Sequence, residues 1–247
     1  AHWSPDSPLE DNVYYWRVKA RDDALNETQY SSRIGFRIDT VSPSPPQLET
    51  PLDGENLNLT SPTLTWAPVS ENSTPVLYKV EISDISSFLT IIRQSDWISA
   101  TSWTVSPALT LDGNYYWRVV AKDNAGNSSA YSEIYSFHLD RQAPDLPSPL
   151  SPADGENDND PTPLLQWTSV VDTDLEGISP SLPVMYRIWV ATDPSFNNVK
   201  QYSGWIESTS WESGELQDGL YYWRVQAVDN AGNTTGVTTP RTLRVDT

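Results

Sequence analysis

Four short runs in the middle of the chain alternate apolar and polar side chains with a period of two: Thr63-Leu-Thr-Trp66, Tyr78-Lys-Val-Glu-Ile82, Tyr115-Tyr-Trp-Arg-Val-Val-Ala121 and Ser136-Phe-His-Leu139. Clusters of Pro, Gly, Asn and Asp separate them, which is how strands and turns are punctuated. Successive side chains of a strand point to opposite faces, so Tyr115, Trp117, Val119 and Ala121 are expected to face inward and Tyr116 and Arg118 outward. Leu64, Trp66, Tyr78, Val80 and Ile82 are expected to supply the opposing apolar face. No segment keeps an apolar 3.6-residue period over three turns, which predicts essentially no helix.

The pattern recurs. Tyr-Tyr-Trp-Arg-Val stands at Tyr14 to Val18, Tyr115 to Val119 and Tyr221 to Val225, spaced by 101 and 106 positions. The agreement spreads outward from there. Asp123-Asn-Ala-Gly-Asn127 matches Asp229-Asn-Ala-Gly-Asn233 and, more loosely, Asp22-Asp-Ala-Leu-Asn26. Pro51-Leu-Asp-Gly-Glu-Asn56 matches Pro152-Ala-Asp-Gly-Glu-Asn157, and Trp97 and Trp103 match Trp205 and Trp211. A period near 100 residues is a whole domain rather than a solenoid unit, and short alternating strands within it predict an all-β sandwich.

Composition narrows the function. The 247 residues contain no Cys, so stability must come from buried side chains, of which 11 Trp and 12 Tyr are the largest. The formal charge of −18 repels nucleic acid and anionic lipid, so neither is an expected partner. No apolar run of about 18 residues is present, which predicts no membrane insertion by this segment. The first residues do not read as a signal peptide, and any export signal is expected outside the segment. Asn-x-Ser/Thr sequons begin at Asn26, Asn58, Asn72, Asn127 and Asn233, candidate glycosylation sites that favour an extracellular or cell-surface location.

Leu111-Asp-Gly-Asn-Tyr115 and Leu216-Gln-Asp-Gly-Leu-Tyr221 place a Leu, a Gly turn and a Tyr ahead of the repeated strand. In this the chain resembles the fibronectin type III family, and the resemblance implies a tyrosine corner at Tyr115 and Tyr221. Leu9-Glu-Asp-Asn-Val-Tyr14 has Asn12 where the Gly stood. Trp66 and Trp167 stand where the family carries its second-strand core Trp. The Asp-Asn-Ala-Gly-Asn hairpins resemble those of bacterial and archaeal surface-protein versions of the fold.

The expected architecture is therefore all-β, tandem fibronectin-III-like sandwiches arranged as a rod. Residues 1–39 read as the C-terminal half of one module, 40–140 as a complete one and 141–247 as another. Val41-Ser-Pro-Ser-Pro-Pro46 and Gln142 to Pro149 read as short, stiff linkers. The first module is expected to hold three strands and to expose Tyr14, Trp16, Val18, Phe36 and Ile38, until residues of a longer repeat chain or strands of another subunit cover them.

Catalysis is not expected: His2 and His138 are far apart in sequence, and no nucleophile elbow or phosphate loop occurs. His138 is expected to point outward. Calcium is the candidate cofactor, otherwise none. Asp172, Asp174 and Glu176 alternate before Gly177, as in the first half of an EF-type loop, although Pro183 stands where that loop ends in Glu. Asp154, Glu156, Asp158 and Asp160 form a second acidic cluster, read chiefly as turns. Trp189, Tyr222 and Arg224 fall on an outward face as a candidate ligand or interface platform, or else stack on one another. The resulting expectation is a structural or adhesive segment of a large extracellular protein (stalk, adhesin or surface filament). Its partners are other copies of itself or neighbouring repeats head to tail, or surface glycans or proteins. The alternatives are spacers in a secreted polysaccharide-degrading enzyme, or carbohydrate-binding modules.

Overall fold

The computed structural model describes residues 2–172 and 183–247, and every regular element among them is a β-strand. The second module runs β3 (Leu48–Thr50), β4 (Glu55–Leu57), β5 (Thr63–Trp66), β6 (Leu77–Ser83), β7 (Arg93–Gln94), β8 (Ser102–Thr104), β9 (Gly113–Lys122) and β10 (Tyr135–Leu139), after β1 (Asn12–Trp16) and β2 (Ile34–Ile38) of the first. Its strands form a three-stranded sheet ordered β3-β5-β8 and a five-stranded sheet ordered β4-β10-β9-β6-β7. The third module repeats this strand for strand. It comprises β11 (Pro149–Ser151), β12 (Glu156–Asp158), β13 (Leu164–Trp167), β14 (Met185–Ala191), β15 (Val199–Tyr202), β16 (Ser210–Glu212), β17 (Gly219–Val228) and β18 (Arg241–Val245). The sheets are β11-β13-β16 and β12-β18-β17-β14-β15.

Each core sits between its two sheets. Trp117, Val119 and Ala121 of β9 are fully buried, as are their counterparts Trp223, Val225 and Ala227 of β17. Alternation assigned these faces correctly. It could not assign the sheet, and there one expectation is corrected: β6 pairs with β9, so Tyr78, Val80 and Ile82 line the same wall as Trp117. Only Leu64 and Trp66 of β5 come from the wall opposite. Period two tells which side a residue faces but not which neighbour its backbone joins. The tyrosine corner forms as the resemblance implied. Tyr115 and Tyr221 donate their hydroxyls to the carbonyls of Leu111 (2.7 Å) and Gln217 (2.8 Å), and Tyr14 does the same to Glu10 (2.9 Å).

Among the described residues the first module contains two strands, not the three expected. β1 and β2 pair with Tyr14 opposite Phe36, their rings stacked with centroids 5.7 Å apart. No strand is formed around Trp3, whose counterpart Trp103 lies in β8, paired with β5. Trp16, Val18 and Phe36 are exposed, whereas Trp117, Val119 and Phe137 at the same places in the second module have no exposure. His138 also departs from expectation. It lies on the outward side of β10 but is only 5% exposed, with Nδ1 3.1 Å from Oδ1 of its register partner Asn114.

Candidate functional site

The most repeated polar construction in the chain is the hairpin Asp-Asn-Ala-Gly-Asn. Asp123 accepts hydrogen bonds from the backbone N–H groups of Gly126 and Asn127 and from Asn127 Nδ2, all at 2.8 Å. Asp229 holds the backbone N–H and Nδ2 of Asn233 at 2.8 Å, and Asp22 holds Asn26 at 2.9 Å. Closing so tight a loop takes one left-handed residue, and Gly126 (φ 100°) and Gly232 (φ 92°) supply it. In the first module Leu25 adopts the same conformation (φ 71°), a strained choice for a residue with a Cβ.

This clasp orients an amide toward the preceding module. Asn127 Nδ2 also donates to the carbonyl of Asp39 at 3.0 Å, and Asn233 Nδ2 to the carbonyl of Asp140 at 3.0 Å. Asp39 and Asp140 are equivalent residues, each directly after the last strand of its module. One Asn thus bonds both its own hairpin and the residue that leads into the linker, and it does so at both joints.

The two joints treat charge differently. At the first, the loop after β5 supplies Ser73, whose hydroxyl donates to Asp39, while Arg37 Nη2 lies 3.6 Å from the same carboxylate. Arg37 also donates to the carbonyl of Asn72 at 2.9 Å, across the joint. At the second, His138 stands in the place of Arg37, and the loop after β13 supplies Asp172. Asp140, Asp172 and Asp229 are all buried there, with one carboxylate oxygen from each within 4.8 Å of the others. Burial pushes the pKa of Asp229 up, and the charge of Asp140 adds to this against the two hydrogen bonds from Asn233. For Asp123 burial also pushes upward, but the bonds from Asn127 and Gly126 prevail and hold its pKa below the ordinary carboxylate range. The same clasp gives opposite shifts: at Asp229 deeper burial outweighs the clasp, and the charge of Asp140 adds to it.

Two unit charges closer than 4.8 Å repel by about 3 kcal/mol or more at an effective dielectric of 20. A proton or a cation between three carboxylates this close relieves that repulsion. An all-oxygen set of three carboxylates suits a hard divalent ion, calcium above all, with waters completing its six to eight ligands.

Of the residues singled out in the sequence, Asp172 lies in this group, while Asp174 and Glu176 lie outside the described residues. Asp154 accepts from the N–H and hydroxyl of Thr242, Glu156 from the N–H of Ala153, Asp158 from that of Asp160, and Asp160 from Thr162. These four are engaged in turn bonds. Trp189 and Arg224 are direct cross-strand partners, with the guanidinium 5.5 Å from the indole centroid, and Tyr222 sits two residues along β17. Among the sequons, Asn127 and Asn233 occupy the joints. Asn58 lies beside the third module's hairpin, where a Cβ on Gly232 would come 3.6 Å from its Nδ2. Asn72 is exposed next to the first joint, and Asn26 is exposed on its own hairpin. Asp39, Asp140 and Asp229 were not singled out in the sequence, although the repeated Asp after Phe-x-Ile/Leu and the repeated hairpin Asp were there to be aligned.

No protein-family model matches the chain, and no curated protein matches it. Solved structures do. The fibronectin(III)-like modules of Clostridium thermocellum CbhA align with a TM-score of 0.51 and 15% identity, covering 81% of this chain and 94% of that one. Domains A168–A170 of titin align with a TM-score of 0.51 and 14% identity, covering 93% and 73%. Together with the paired sheets, the repeated strand order and the three tyrosine corners, this establishes the chain as tandem fibronectin-III/immunoglobulin-like β-sandwich repeats.

Proposed function

We propose that the chain is a non-catalytic spacer: a run of sandwiches in an extracellular or cell-surface protein, held as a semi-rigid rod by its joints. The observation that carries this reading is the clasp. Asn127 and Asn233 each bond the module before them at 3.0 Å, so the contact between modules is built from the same residues twice. A catalytic protein concentrates its distinctive polar groups in one site, whereas here they recur once per module. The high acidity and the sequons support a location outside the cell. The second joint takes a calcium ion between Asp140, Asp172 and Asp229. The support for this is their burial and the approach of one carboxylate oxygen from each to within 4.8 Å of the others.

Small-angle scattering on the chain and on an Asn127→Ala, Asn233→Ala double variant tests the spacer reading. Each lost bond costs about 1 kcal/mol locally, so both sandwiches stay folded. The variant is expected to show a broader distribution of overall dimensions than the parent. Superimposable scattering from the two would overturn the role of the clasp.

A further inference from the structure

Comparing the outer faces of the two complete modules shows a guanidinium that has lost its carboxylate. In the second module Arg118 lies over the rings of Phe88 (4.1 Å) and Tyr131 (3.7 Å), and its Nε and Nη2 donate to Glu81 at 3.0 and 2.8 Å. In the third module the equivalent Arg224 lies over Phe196 at 3.9 Å, but Trp189 stands in place of Glu81 and Val237 in place of Tyr131. A second arginine, Arg187, lies over Trp205 at 4.3 Å on the same face. The Nε atoms of Arg187 and Arg224 are buried without a hydrogen bond, and neither guanidinium has an ion-pair partner among the described residues. In a chain of charge −18 with abundant Asp and Glu, two aligned and uncompensated arginines are a local reversal of sign.

We propose that this face binds a polysaccharide bearing uronic acid carboxylates. A carboxylate of the glycan makes a charge-assisted contact to the guanidinium of Arg224, the kind of contact that Glu81 supplies to Arg118 within the second module. Beside it, Tyr202 is two-thirds exposed (66%) and pairs directly with Trp189, which pairs in turn with Arg224. Tyr202, Trp189 and Arg224 therefore form one row across three strands, about 10 Å from end to end at ordinary strand spacing. A sugar ring stacks on the free tyrosine while a carboxylate further along the glycan meets the arginine. A peptide strand fits this face less well, since the backbone groups of the central strands β14 and β17 are already taken by neighbours on both sides. The acidity of the rest of the molecule confines a polyanion to this one place. The inference does not depend on the spacer reading, since a lateral binding face is compatible with a rod.

Affinity electrophoresis in native gels containing polygalacturonate, with dextran as the neutral control and a chelator throughout, tests it on the whole chain. The expected result is retardation by polygalacturonate and none by dextran. Trp189→Glu, which reproduces the arrangement of the second module, and Arg224→Gln each weaken it by about tenfold or more, as befits a charge-assisted contact. Arg118→Gln leaves retardation at the parent value, and melting curves establish that each variant is folded. Three results would overturn the proposal: no retardation beyond dextran, equal retardation of the parent and Trp189→Glu, or equal retardation by poly-glutamate, which would mark the face as a reader of bare charge.

Discussion

Calcium added to chelator-treated protein is expected to raise the melting temperature of the third module by about 10 °C or more at a hundredfold excess over its dissociation constant. Binding at that level contributes about 2.7 kcal/mol, and 1 kcal/mol moves a domain of this size by some 4–8 °C. Asp172→Asn gives the sharper test because its effect changes sign. With calcium present the variant is less stable than the parent, having lost a ligand. With calcium removed it is more stable, because one of three mutually repelling buried carboxylates has gone, and each pair carries about 3 kcal/mol. An ion-independent structural role for Asp172 predicts loss under both conditions. Calorimetry with and without chelator distinguishes them, and an unchanged melting curve on adding calcium removes the ion from the account.

Trp117→Ala is expected to remove about a third or more of the second sandwich's stability while the third keeps its own. Trp117 has no exposure, lies edge-on to Tyr135 with centroids 6.1 Å apart, and packs within a cluster that includes Leu64, Trp66 and Val80. Its indole N–H makes no hydrogen bond, so the loss is one of packing and burial. Removing a buried Trp costs about 3–5 kcal/mol, against a total of about 5–15 kcal/mol for a domain. The two cores share no residue, so the damage stays in one module. Intrinsic fluorescence in a denaturant titration should resolve two transitions, one of them displaced to low denaturant. A single transition shifted as a whole would show the modules to be one cooperative unit.

Much of the fold was legible because the information is local. In Tyr115 to Ala121 every second residue is apolar, so burial follows from the pleat alone, and Leu111-Asp-Gly-Asn-Tyr115 carries its corner within five residues. The platform face was half legible. Alternation put Trp189 and Arg224 outside, but the ring that lies under Arg224 is Phe196, brought there by a turn with φ 58°, which no spacing rule reveals. The joint was least legible. Asp140, Asp172 and Asp229 lie on three separate elements, and only the folded third module, docked on the end of the second, gathers them. Local spacing pointed to Asp172 for its own loop's sake. The partners that meet it here come from elsewhere in the chain. Likewise, nothing local tells that Asn127 and Asn233, which read as sequons, have their amides committed to a carbonyl of the preceding module.

Distance measurement by pulsed electron resonance across the second joint tests whether the joints hold their modules in one arrangement. The chain has no cysteine, so Leu89→Cys and Leu220→Cys, at exposed positions of the second and third modules, give two unique labels. A joint held by the clasp gives one narrow distance distribution in calcium, widened by Asn233→Ala. A broad distribution in the parent, unaltered by calcium or by that substitution, would mean that the modules move independently on a tether and that the clasp sets nothing.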